Sequence, residues 1–100
     1  MTLVNTARGE TILEIDGRPQ RLCLTLGALV ELEGAFDAHG FADLGEKLAA
    51  LSASDLIVVL AALTAGGGEA KNTAELANAR IDPRAAATAV AAAFRDALGA

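Results

Sequence analysis

The 100-residue sequence predicts an α+β fold: an N-terminal β-hairpin packed on a bundle of four to five short helices. Three observations predict it. Residues 10–26 alternate apolar and polar positions around the turn-forming run Asp16-Gly17-Arg18-Pro19. Beyond them, apolar residues recur at three- and four-residue intervals. Helix start and stop signals then punctuate the second region. The first nine residues carry no such pattern and are expected to be flexible, leaving residues 10–100 as one domain.

In the hairpin, residues 10–26, the first strand is placed near 10–15 and the second near 20–26. A two-residue loop would pair Leu13 with Gln20 and Ile15 with Arg18. A four-residue loop over 16–19 would pair Leu13 with Leu22, Thr11 with Leu24 and Ile15 with Gln20, setting Leu13, Ile15, Leu22 and Leu24 on one face. The second register is the one the hydrophobic pattern favours. Glu14, Arg21 and Cys23 then share the opposite face, and the hairpin needs something to pack on.

Five helices are read at about 27–38, 41–51, 54–65, 73–79 and 83–98. Thr25 caps the first and Gly40 is its left-handed stop; Leu29, Leu32 and Phe36 are its stripe. Phe41, Leu44, Leu48 and Leu51 mark the second. Ser52-Ala-Ser-Asp55 offers a Ser-x-x-Asp box and a Ser54 cap for the third, whose Leu56, Val59, Leu60 and Leu63 form the most buried stripe. Asn72-Thr-Ala-Glu75 is a capping box for the fourth, and Asp82-Pro83 opens the fifth. That last helix has Ala87, Val90, Phe94 and Ala97 or Leu98 in a field of alanine, so it is expected to dock weakly and to be mobile.

Composition excludes whole classes. The chain is 53% apolar with a net charge of −5, too apolar for general disorder. One cysteine and one histidine supply neither an internal disulfide nor a structural zinc. Eight scattered Lys and Arg argue against nucleic acid as a partner. The longest apolar run, Leu56 to Leu63, falls far short of the roughly 20 residues a membrane span needs. No secretory signal is visible, so a cytoplasmic protein that neither spans nor binds a membrane is expected.

No enzyme and no cofactor are expected, because no catalytic set assembles. His39 precedes Gly40 and reads as a solvated histidine at a helix end. Cys23 reads as a small apolar strand residue. Gly66-Gly67-Gly68 follows a helix and lacks the Walker spacing, so it reads as a flexible loop. Glu31 and Glu33 point about 200° apart on a helix and cannot act as an acid–base pair. Glu33 borders the apolar stripe and is a candidate for a partner contact or a salt bridge to Arg21. The candidate partner-binding residues are Glu33, Val90, Phe94 and Leu98. They go with a groove beneath the last helix that would receive an amphipathic helix.

One stretch carries a resemblance. Asn5-Thr6-Ala7-Arg8-Gly9-Glu10, Ile15-Asp16-Gly17-Arg18, then Arg21-Leu22-Cys23-Leu24-Thr25-Leu26-Gly27-Ala28-Leu29-Val30-Glu31-Leu32-Glu33, and the Leu-rich helix ending in Gly66-Gly67-Gly68, resemble the small tail assembly chaperones of bacterial gene transfer agents and related tailed phages. The resemblance covers about residues 5–68. It implies an assembly factor that binds the tape measure protein, keeps its helices soluble and helps tail tube protein polymerise around it. A structural minor tail or adaptor component is the alternative, and a homo-oligomer is left open.

Overall fold

A computed structural model describes residues 10–98 of the chain. The first nine residues, and with them the Asn5–Gly9 part of the resemblance, lie outside the described residues, as do the side chains of Ala97 and Leu98. The elements run β1 (Glu10–Ile15), β2 (Arg18–Cys23), α1 (Leu26–Phe36), α2 (Phe41–Leu48), α3 (Ala53–Gly66), α4 (Thr73–Asn78) and α5 (Pro83–Leu98). The hairpin-on-helices architecture predicted from the sequence is the one observed.

The hairpin corrects the predicted register. β1 and β2 pair antiparallel with Ile15 opposite Arg18, Leu13 opposite Gln20 and Thr11 opposite Leu22. The loop is Asp16-Gly17 alone, and both residues are left-handed, with φ of 54° and 78°. That is the geometry of a two-residue turn whose twist matches the strands, for which Asp-Gly is a preferred pair. Turn geometry therefore overrides the pairing of Leu13 with Leu22. The two registers differ by two residues, so the faces survive: Leu13, Ile15, Leu22 and Leu24 are all buried. Pairs alternate away from such a turn, so Pro19, opposite Glu14, falls at a non-hydrogen-bonded pair where its missing N–H costs no ladder bond.

Local signals set most helix starts. Thr25 Oγ1 accepts from Ala28 N at 3.1 Å. Ser52 and Asp55 form a reciprocal capping box, as do Asn72 and Glu75. Asp82 Oδ1 accepts from Arg84 N at 3.0 Å. The stop of α1 is corrected: Asp37, at φ 51°, is its left-handed cap, and Gly40 is the residue that opens α2. Aspartate tolerates that conformation because its short side chain finds local polar partners. α2 ends at Leu48, three residues earlier than read, and leaves Leu51 half-buried outside any helix.

The core is aliphatic and centres on α3, which packs against β2, α1, α4 and α5. Leu13, Ile15, Leu22, Leu24, Leu29, Leu32, Leu44, Val59, Leu60 and Leu63 are buried as predicted; Phe36, Leu48 and Leu56 sit half-buried at its margin. Phe41, read as marking the second helix, opens α2 and lies 53% exposed.

Two junctions were not read from the sequence. The glycine run is not simply a flexible loop. A Cβ on Gly66 would stand 2.1 Å from the Cys23 carbonyl oxygen, and one on Gly67 would stand 2.0 Å from that of Arg21. The end of α3 lies directly on the outer edge of β2, and only Gly68 faces open space. At the other end of the hairpin, Asp16 N donates to Arg80 O at 3.0 Å while Arg80 N donates to Asp16 Oδ1 at 2.7 Å, tying the turn to the α4–α5 link.

α5 is docked mainly along β1, with contacts to α3 and β2. Its buried row is Ala86, Ala89, Val90 and Ala93, where the sequence pointed to Ala87, Val90 and Phe94. The alanines win because they let the helix approach closely, and Phe94 is left half-buried beside the contact.

Candidate partner-binding site

The folding of α2 and α5 leaves a gap. α2 packs on α1, and its other side faces α5 across an open groove of about 590 Å³. Gly45 and Leu48 line it from α2 and Ala49 from that helix's C-cap, Leu56 from α3, and Ala87, Val90, Ala91 and Phe94 from α5. Among the described residues, Ser52 and Arg95 are the only polar side chains on its walls. Ser52 is occupied, because its Oγ accepts from Asp55 N at 3.1 Å. Arg95 Nε lies 3.4 Å from Asp96 Oδ1 on the rim. Such walls can bury apolar groups; among the described residues they hold no carboxylate, histidine or thiol to move a proton or attack a substrate.

The groove exists because local rules cut α2 short. The chain leaves it at Ala49, and the Ser52 capping box restarts it as α3. Leu48 and Leu56, predicted as core, are consequently only half-buried. Along α5 the wall from Pro83 to Phe94 spans 12 residues, about 16 Å or three helical turns.

The predicted site residues separate. Val90 and Phe94 both line the groove, Val90 mostly buried and Phe94 more open. The Leu98 side chain lies outside the described residues. Glu33 is elsewhere: its Oε2 accepts from Gly40 N at 3.2 Å, so it braces the α1–α2 corner and does not pair with Arg21. His39 shares that corner. Its ring is exposed, 3.7 Å from Asp37 Oδ1, and its backbone N–H donates to Asp43 Oδ2 at 2.9 Å. That bond, with Lys47 Nζ 3.5 Å away, holds the Asp43 carboxyl below the usual range against some desolvation. Cys23 is buried in β2, as its reading as a small apolar strand residue suggested. Among the described residues no cluster of three metal-ligating side chains forms. No described helix is long and apolar enough to cross a membrane.

Sequence reading singled out Ala87 but missed Gly45, Ala49 and Ala91, which with it are the small residues that make the walls low. Their four-residue spacing, 45–49 and 87–91, was the available signal.

A family model described as phage tail tube protein, GTA-gp10, matches residues 8–100. No curated protein and no solved structure is significantly similar to the chain.

Proposed function

We propose that this chain, which belongs to the phage tail tube protein, GTA-gp10, family, acts as a tail assembly chaperone, not an enzyme, whose groove holds an amphipathic helix of the tape measure protein. The groove is the observation that carries the reading. It is apolar, about three turns long and bordered by the half-buried Leu48, Leu56 and Phe94. Phe41, 53% exposed, lies outside the groove lining, one turn N-terminal to Gly45 on the same row of α2.

Docking three large apolar side chains in such a groove stabilises a complex by about 5–9 kcal/mol before the cost of fixing both partners. That balance suits a complex that forms and releases as tube protein polymerises in the cytoplasm. The net charge of −5 helps keep the loaded complex soluble and sets it against nucleic acid.

The family's description as a tube protein favours a second reading, in which the chain is a structural component of the tail. Quantitative mass spectrometry of purified particles separates the two: fixed stoichiometric copies in the finished tail would establish the structural role and overturn the chaperone. Binding of tape measure helical fragments tests the groove itself. Ala91→Glu, which sets a carboxylate on an apolar wall, should weaken that binding at least tenfold while the fold is kept.

A further inference from the structure

The exposed side of α1 is a second apolar surface, separate from the groove, which no α1 residue lines. Leu26 is 73% exposed and Val30 61% exposed, one turn apart on one face. Gly34 continues that row a turn further on, with Gly27 at its side. Neither glycine has an internal reason to be glycine. A Cβ on Gly34 would meet nothing within 4 Å, and one on Gly27 would meet only Thr25 Oγ1, at 3.8 Å. Exposed glycines in a helix are unfavourable relative to alanine, so this face gives up helix stability while showing large apolar groups to water.

The charges around the row say what fits on it. Glu31 borders one flank and Glu33 the other, and Asp37 closes the C-terminal end. α1 holds no Lys or Arg. Residues 26–48 contain five carboxylates and one lysine, a net of −4 within a chain of −5. A second copy meeting this face through its own α1 would set carboxylate against carboxylate.

We infer that the Leu26–Val30–Gly34 face of α1 is a docking surface for a basic amphipathic helix of a partner protein. Its small and apolar stripe would seat across Val30 and Gly34, with Lys or Arg on its flanks reaching Glu31 and Asp37. The glycines let the two backbones approach closely, and the carboxylates choose the partner's sign and speed its capture.

A 21-residue helical peptide with an Ala/Leu stripe flanked by lysines is the probe, and its Glu-flanked counterpart the control. Both are titrated by fluorescence anisotropy at 0.15 M salt. The Lys peptide should bind at least tenfold more tightly than the Glu peptide. Val30→Glu and Gly34→Leu should each weaken it at least tenfold, Glu31→Lys several-fold, and Ala91→Glu in the groove not at all. Both α1 positions face solvent, and circular dichroism of the variants checks that the fold is kept. Equal binding by wild type and Val30→Glu would overturn the proposal. So would loss confined to Ala91→Glu, which assigns the peptide to the groove and leaves the chaperone reading standing. Sedimentation that finds a wild-type dimer abolished by Val30→Glu would also overturn it, by making a second copy the occupant.

Discussion

Two pairs of glycines sit in opposite surroundings in this small protein. Gly66 and Gly67 lie with no room for a side chain, their Cα atoms against the backbone carbonyls of Cys23 and Arg21. Gly27 and Gly34 lie on a helix face where a side chain would meet almost nothing. The first pair is explained from within, because it lets the central helix cover the outer edge of β2. The second has no such explanation, which turns attention to what approaches from outside. The same residue type thus marks an internal contact in one region and an external one in the other.

Substitutions can break or sharpen that contrast. The reference for the tight side is Leu60, 2% exposed in the middle of α3. Leu60→Ala should cost about 2–5 kcal/mol in chemical denaturation, a large share of the roughly 5–15 kcal/mol such a domain has. A melt indistinguishable from wild type would show that α3 is not the centre of the core. Gly67→Ala should cost about 1–3 kcal/mol, since the atom in its way is backbone and cannot swing aside. If Gly67→Ala is neutral, the close approach of α3 to β2 is not obligatory and the contrast collapses.

On the open side the sign reverses. Gly34→Ala should stabilise the free protein by about 1 kcal/mol, seen as a rise in Tm of about 4–8 °C. A destabilised Gly34→Ala would mean that α1 is packed more tightly than its exposure indicates. The smallest effect is at the α1–α2 corner. The His39 backbone N–H, and then Lys47, hold the Asp43 carboxyl below its ordinary value, so the folded state takes up the proton less readily than the unfolded chain. That contribution is present above the ordinary carboxylate range and is lost as pH falls below about 4 through the folded-state value. Asp43→Asn should erase it. Melts at pH 7 and pH 3 should then differ less for the variant than for wild type, and an unchanged difference would remove Asp43 from the acid response.

Where a feature depends on residues two to four apart in the chain, it was legible in the sequence. The caps at Thr25, Ser52, Asn72 and Asp82, the α3 stripe and the sidedness of the hairpin are all of this kind. The hairpin register was legible too, in Asp16-Gly17, but the pull of Leu13 toward Leu22 obscured it. Val90 and Phe94 were legible as groove residues because large side chains stand out in an alanine helix. Glu33 was legible only as a boundary residue; its partner, Gly40 N, depends on how the α1–α2 corner turns.

From the chain alone came the element types, their order and the aliphatic core. Those follow from local hydrogen bonding and periodicity, which act without reference to distant parts of the chain. Tertiary structure decided which row of α5 is buried, what Gly66 and Gly67 are for, and that a groove opens between α2 and α5. Each of these depends on how close two surfaces come. An alanine or glycine has no large side chain to announce a contact, so its role is set only when another backbone arrives beside it.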